Sequence, residues 1–261
     1  MAFTAKDVQA LREKTGCGMM DCKNALKETD GNMEAAVDYL REKGLASQAK
    51  KASRVAAEGQ VVALVEGGVA AVIEVNSETD FVAGNDEFKE FVNLCAKAVI
   101  ANNPADVDAL IASTYEGKTV GEYKEDIFLK FRENIQIRRF VRIEGKVVSY
   151  VHAGGKIGVL VELATDLDMS DAIVAMGKNV AMQVAAMNPG YLDQASVPAE
   201  DLEKEKAILV AQMKEDPKMA NKPDAVLGKI VEGKIGKYYK ENCLVEQQFV
   251  IDGDLTVGQY V

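Results

Sequence analysis

One histidine, His152, and four cysteines, Cys17, Cys22, Cys95 and Cys243, are the only imidazole and thiol side chains in the chain. None of the cysteines forms a C-x-x-C pair, so the tight four-ligand grouping that zinc prefers is missing and neither metal nor cofactor is expected. Cysteines scattered in this way read as buried, reduced thiols. There is no G-x-S-x-G elbow, no Walker phosphate loop and no H-E-x-x-H pair, and nothing in the local context supports a Cys–His nucleophile. The glycines of His152-Ala153-Gly154-Gly155-Lys156-Ile157-Gly158 have no helix after them, so they read as a hairpin turn and not as a phosphate cradle. No apolar run approaches the roughly 20 residues needed to cross a bilayer. The stretch Met1-Ala2-Phe3-Thr4-Ala5-Lys6-Asp7 has neither a signal-peptide core nor an Arg-rich transit pattern, so a cytoplasmic protein is expected. Positive charge is also short, with 31 Lys+Arg against 41 Asp+Glu, a net charge of −10 and a pI near 4.8. That balance disfavours a general nucleic-acid binder, whose affinity comes mainly from neutralising phosphates, though it leaves room for a local basic patch. The expectation is a protein that is not an enzyme.

What is present suits a soluble fold. The 261 residues are 48% hydrophobic and 28% charged, enough for two or more compact units. Three short helices come first. Thr4 and Asp7 make a capping pair ahead of Val8, Leu11 and Thr15, and Gly16-Cys17-Gly18 breaks that helix. Met19, Cys22, Ala25 and Leu26 line a second helix, which stops at Thr29-Asp30-Gly31. Asn32 caps a third, with Met33, Ala36, Val37 and Leu40 on its apolar face and Gly44 at its end. So small a unit buries little and is suited to showing apolar residues to a partner. A polar stretch with Lys50, Lys51 and Arg54 then reads as a linker or an exposed helix.

After residue 57 the period becomes alternating. Val61–Val65 and Val69–Val75 flank the turn Glu66-Gly67-Gly68 and predict a β-hairpin. A helix from about Asp86 carries Phe88, Val92, Cys95 and Val99 and ends at Asn102-Asn103-Pro104. Another from about Glu122 carries Tyr123, Ile127, Phe131 and Ile135, and Ile137–Ile143 has strand character. The pattern then recurs. Glu58-Gly59-Gln60-Val61-Val62 returns as Glu144-Gly145-Lys146-Val147-Val148, Thr79-Asp80 as Thr165-Asp166, and Ala101-Asn102-Asn103-Pro104 is echoed by Met187-Asn188-Pro189. A second hairpin turns at His152-Ala153-Gly154-Gly155, and a helix capped by Ser170 carries Ile173, Gly177, Val180 and Val184. The repeat predicts two related α+β modules, each a small antiparallel sheet covered by helices. Between Val197 and Ile235, alternating charge on a narrow apolar seam predicts a protruding helical hairpin turning at Pro217–Pro223. Residues 243–251 return to strand character. The expected division is 1–55 for the three helices and linker, 56–142 and 143–196 plus 236–261 for two core modules, and 197–235 for the hairpin.

Two segments look like surfaces. In Glu74-Val75-Asn76-Ser77-Glu78-Thr79-Asp80-Phe81-Val82-Ala83-Gly84-Asn85, Phe81 sits in a polar setting where a strand gives way to a helix. It is either an exposed aromatic anchor or a core residue tucked under the loop, and the residues alone leave both open. In Leu11–Lys23, the consecutive Met19 and Met20 cannot both face the core of one short helix, so one is expected to be exposed and adaptable.

These same two segments, together with Glu133-Asn134-Ile135-Gln136-Ile137-Arg138-Arg139, are similar in order and spacing to the signatures of the elongation factor Ts family. His152 in the second hairpin and Val231-Glu232-Gly233-Lys234 also match, and the resemblance covers essentially the whole chain. It implies an α+β fold with an N-terminal module like a ubiquitin-associated domain, a two-part core and an inserted coiled-coil hairpin. It implies guanine nucleotide exchange on elongation factor Tu, with Asp80 and Phe81, flanked by Thr79 and Val82, wedging near the partner's magnesium and phosphate site. Arg12, Met19, Met20, Lys23 and Lys51 match positions that meet the GTPase domain, and His152 matches a contact near the wedge. The hairpin would serve a homodimer or a 2:2 complex. Neither direct nucleic-acid binding nor a membrane is implied. The family pattern continues past Thr256-Val257-Gly258-Gln259 with a helix, a strand and a basic-aromatic motif that this sequence lacks. Leu167 stands where the repeat would need a second Phe81, so one wedge is expected. The rival readings are a ubiquitin-associated-like adaptor that binds peptides through Met19-Met20 without nucleotide exchange, and a small-molecule enzyme with a site between the α+β modules.

Overall fold

Capping chemistry sets the first helices. In the computed structural model, which describes residues 3–215 and 223–261, the chain divides into two compact units, Met1–Asp166 and Leu167–Val261. Helix α1 (Ala5–Thr15) opens on a reciprocal capping box: the Asp7 carboxylate accepts the Thr4 N–H at 2.6 Å and the Thr4 hydroxyl accepts the Asp7 N–H at 3.4 Å. Gly16 closes it in the left-handed region at φ 67°. Helices α2 (Met19–Glu28) and α3 (Met33–Lys51) follow. Asn32 Oδ1 starts α3 by accepting the Glu34 and Ala35 N–H groups. Val8, Leu11, Cys22, Ala25, Leu26, Ala36 and Leu40 form the small shared core.

Gly44 does not end the third helix. It lies buried inside α3, where a Cβ would run into the Leu129 side chain. The glycine serves close packing and not a cap. Leu129, from a later helix, completes the three-helix core.

Strands β1 (Glu58–Glu66) and β2 (Val69–Ser77) form the predicted hairpin, turning through Gly67 and Gly68 at φ 57° and 81°. Two consecutive positive φ values are what a type I′ turn demands. After a short helix α4 (Asp80–Gly84) comes α5 (Asp86–Asn102), whose Phe88, Val92, Cys95 and Val99 pack on Ala71, Ile73 and Val75. Helix α6 (Val107–Ala112), the short ladder of β3 (Thr114–Tyr115) with β4 (Lys118–Thr119), and α7 (Val120–Phe131) complete that layer. Helix α7 stops at Arg132, left-handed at φ 57°. Ile135 is therefore not on this helix but just beyond it, buried in the same core.

Strand β5 (Gln136–Glu144) pairs antiparallel with β2, giving the order β1-β2-β5 with a bulge at Glu74/Val75. Strands β6 (Val147–His152) and β7 (Ile157–Glu162) pair only with each other. Their hairpin lies against β1 and β2: Gly155 O accepts the Val61 N–H at 2.7 Å, and a Cβ on Gly158 would strike Val61 and Val72. By its contacts this hairpin goes with the first unit, although the sequence division opened a new module at residue 143.

In the second unit, Ser170 caps α8 (Asp171–Met187), and α9 (Ala199–Glu215) packs on α10 (Asp224–Asn242) through Leu209, Met213, Leu227, Val231 and Ile235. The second arm thus runs on past Ile235, and of the turn expected at Pro217–Pro223 only Pro223 lies among the described residues. Residues 243–251 do not form a strand. Gln183, fully buried on α8, captures that segment instead, donating to Gln248 O at 3.1 Å and accepting the Val250 N–H at 2.8 Å. A side chain there takes hydrogen bonds that a neighbouring strand would have supplied. A last short helix, α11 (Val257–Tyr260), follows that segment.

Some positions that match in the sequence pattern also match in backbone. Gly59 and Gly145 share positive φ values of 147° and 137°. Helices α5 and α8 are both 17 residues long and both close on a left-handed asparagine, Asn103 at φ 46° and Asn188 at φ 45°. The fold is a mixture of helices and antiparallel strands, α+β in class.

Candidate functional site

Helix α4 is a single turn with two unlike faces. Val82 and Ala83 are buried and pin it to the core, while Phe81 points away and is 87% exposed, with Asp80 exposed beside it. Thr79 is the N-cap: its Oγ1 accepts the Val82 N–H at 3.4 Å and donates to Glu133 Oε1 at 2.7 Å. Glu133 Oε2 accepts the N–H groups of Glu78 and Thr79 at 3.0 and 3.1 Å. At its other end, α4 is held by Gln60, whose Nε2 donates to Ala83 O at 2.9 Å. Phe81 is therefore an apolar side chain standing in water on a turn tied down at both ends.

Gln60 also meets the second hairpin. Gly155, at φ 97°, packs so closely on the Gln60 carboxamide that a Cβ would overlap it. This links α4 to the turn that carries His152, whose exposed ring takes part in a 2.9 Å hydrogen bond between Nδ1 and Tyr150 Oη. Lys156 anchors the same turn to Glu58 at 2.6 Å.

On the N-terminal helices both methionines are exposed, Met19 by 45% and Met20 by 63%. Only one was expected out. The shared core takes Cys22, Ala25 and Leu26 from α2 and neither methionine. Arg12 and Lys23 are exposed on the same small unit. Lys51 is different. It is half-buried, its ammonium donates to Arg132 O and it lies 5.9 Å from the centre of the Phe128 ring. Arg132 in turn reaches Asp21 at 3.0 Å. Lys51 thus locks the end of α3 to the end of α7.

The structure brings Thr79, Asp80, Phe81, Val82 and the His152 turn together around Gln60. The sequence reading missed α4 itself and its supports, Gln60, Glu78, Glu133 and Asn134. A signal for α4 was present, since Thr79 followed by Asp80 is a cap with an acid in the first turn. The supports had none, because their partners lie 23 to 82 positions away.

Glu78 Oε1 accepts the Asn134 N–H at 2.7 Å. That bond, chiefly, and then the Arg54 guanidinium hold its carboxyl below the usual carboxylate range, against a smaller opposing effect of burial. A depressed carboxylate contributes stability that is present above the ordinary carboxylate range and is lost as pH falls through its lowered value. Among the described residues, no group of three or more His, Cys, Asp or Glu side chains could hold a metal ion, and no helix is long and apolar enough to cross a membrane. The four cysteines are buried and unpaired, and burial pushes the Cys95 thiol up to about 12, leaving it protonated and unreactive.

Comparison with known proteins gives a consistent answer. The family model described as "Elongation factor TS" matches residues 78–261. A protein named Elongation factor Ts from Syntrophotalea carbinolica is 50% identical over 266 residues, covering 100% of this chain and 86% of the relative. Its namesake from Magnetococcus marinus is 48% identical over 266 residues with the same coverage. The one from Clostridioides difficile is 48% identical over 265 residues, covering 99% of this chain and 86% of the relative.

Proposed function

The chain belongs to the elongation factor Ts family, and we propose on that footing that it binds the GDP-bound form of the GTPase elongation factor Tu in the cytoplasm and promotes GDP release during translation elongation. The observation that supports this reading is Phe81, an aromatic 87% exposed on a turn tied at both ends. A partner offers the apolar burial that water denies it. Exchange asks no covalent chemistry of the factor. GDP is held in one arrangement of the GTPase, and a factor that binds better to another arrangement lowers nucleotide affinity, while nucleotide lowers the factor's affinity by the same ratio. Phe81 supplies about 2–3 kcal/mol if fully buried in the partner. Asp80 beside it brings a negative charge to bear on the electrostatics of a magnesium site. Thr79 and Val82 seat the wedge, the His152 turn flanks it, and Arg12, Met19, Met20 and Lys23 form a second contact. Lys51 supports that contact from within the chain.

The test is release of a fluorescent GDP from elongation factor Tu with and without the protein. Acceleration at catalytic amounts of protein is the expected result. Binding without acceleration would favour the peptide-binding adaptor, and neither effect would dismiss both readings.

In the same reading, residues 1–55 form the docking module, 56–142 and 143–196 plus 236–261 form the two core modules, and α9 with α10 serves self-association or a 2:2 complex. Replacing residues 204–235 by a short Gly-Ser linker keeps the Tyr191–Asp201 hydrogen bond at the base of the hairpin. That variant is expected to release GDP at close to the intact rate and to lose self-association in sedimentation. Lost exchange with an unchanged circular dichroism spectrum would move the active surface onto the hairpin.

A further inference from the structure

A wedge works only if its backbone does not yield when the side chain is driven into a partner. Helix α4 has five residues, far too few to be stable by its own hydrogen bonds. Its direction is therefore set by whatever holds it.

Gln60 holds its end through Ala83 O, and its start is held by a reciprocal clasp with the corner that follows α7. Glu133 reaches across to the start of α4 with both oxygens: Oε1 accepts the Thr79 hydroxyl at 2.7 Å, and Oε2 accepts the N–H groups of Glu78 and Thr79 at 3.0 and 3.1 Å. Glu78 reaches back, its Oε1 accepting the Asn134 N–H at 2.7 Å and its Oε2 meeting Arg54 Nη1 at 3.3 Å. Buried Asn134 then donates its carboxamide to Ala52 O at 3.2 Å and Arg54 O at 2.8 Å. The wedge, the corner and the linker that carries the three N-terminal helices share one hydrogen-bond network.

We propose that Glu133 is the positioning residue of nucleotide exchange, fixing through this clasp the direction in which Phe81 leaves the surface. The proposal rests on the exchange reading above. An ionised carboxylate is the side chain that accepts on two oxygens at once, whereas a glutamine of the same shape offers one acceptor and turns two N–H donors toward the other donors. Glu78, Thr79 and Glu133 are all half-buried, so water can replace the lost acceptor and the fold survives Glu133→Gln. The direction of α4 does not, because water fixes no geometry.

The chain contains no tryptophan, so Phe81→Trp places a lone indole on the wedge. In the free protein, that indole is expected to show slow fluorescence anisotropy decay governed by tumbling of the whole molecule, and Glu133→Gln is expected to add a fast local component. In GDP release, Glu133→Gln is expected to lower the saturating rate by about tenfold, since small misplacements at a working site cost that much or more. The half-saturating concentration and the thermal midpoint should stay close to those of the unaltered protein. A loss of stability alone would shrink the folded fraction and give the opposite pattern. In a Phe81→Ala background, adding Glu133→Gln should change nothing further, because both act through one side chain. If Glu133→Gln fails to fold, Thr79→Val, which removes the hydroxyl bonded to Oε1, takes its place in all three measurements. Unchanged indole mobility, an unchanged saturating rate where Phe81→Ala slows exchange, or additive losses in the double variant would each overturn the positioning role and leave the exchange reading standing. Failure of the intact protein to speed GDP release, or of Phe81→Ala to slow it, would overturn the exchange reading and with it the role of Glu133.

Discussion

Phe81→Ala is expected to leave thermal stability nearly unchanged and to remove most of the acceleration of GDP release. Truncating a core phenylalanine costs about 3–5 kcal/mol, but that figure belongs to rings packed on all sides. Phe88, seven positions on and fully buried against the sheet, is such a ring and provides the internal comparison. Phe81 is 87% exposed, so almost none of its contact area exists in the free protein and almost none can be lost by unfolding it. In a complex the account reverses. Withdrawing about 2–3 kcal/mol of burial that appears only there slows exchange by roughly 30- to 150-fold. Asp80→Ala should likewise spare folding while slowing release, with a smaller effect. Linkage adds a requirement that a simple loss of adhesion would not meet. If Phe81 carries the antagonism between factor and nucleotide, its removal must shrink the ratio of affinities for nucleotide-free and GDP-bound partner. Thermal unfolding and titration against both partner states decide it. A large fall in melting temperature, or an unchanged ratio with normal exchange, would sink the wedge.

Much of the fold was legible because it is written locally. Thr4 with Asp7, Asn32 and Ser170 each cap the helix they precede, and Gly67-Gly68 turns the first hairpin, because caps and tight turns depend on residues within three or four positions. Errors arose where a distant residue decides. Gly44 looks like a terminator until Leu129 is seen packed against it, and residues 243–251 look like a strand until Gln183 is found holding their backbone. Ile135 keeps helical spacing with Phe131, yet Arg132 has already turned the chain. The site divides in the same way. Whether Phe81 is core or surface could not be decided from its neighbours in sequence, because Val82 and Ala83 beside it are buried and it is not. Lys51 read as an exposed contact, since nothing near it in sequence shows that the Arg132 carbonyl waits at the end of α7.

Removing residues 1–55 should leave a folded core and weaken partner binding severely. The three helices bring their own caps and their own buried cluster, and among the contacts that fasten them to the rest are the partly exposed pairs Arg41–Glu122 at 3.4 Å and Asp21–Arg132 at 3.0 Å. Pairs of that kind contribute about 0–1 kcal/mol each. Leu129 loses its cover, so Leu129→Gln should accompany the deletion to keep the core soluble. Binding suffers for a separate reason. Met19 and Met20, 45% and 63% exposed, together leave about one methionine side chain open to a partner. Burying that area contributes about 2–3 kcal/mol, so its loss raises the half-saturating concentration by on the order of 30- to 150-fold. Where the cut falls then matters. A deletion ending at residue 51 keeps Ala52 and Arg54, the carbonyls that hold Asn134 and through it the base of α4. It should raise the half-saturating concentration and spare the saturating rate. A deletion ending at residue 55 removes both carbonyls and should lower the saturating rate as well. Steady-state exchange over a range of factor concentrations separates the two. Unchanged exchange in either truncated protein would remove the N-terminal helices from the binding surface. Equal saturating rates for the two cuts would mean that the linker does not reach the wedge.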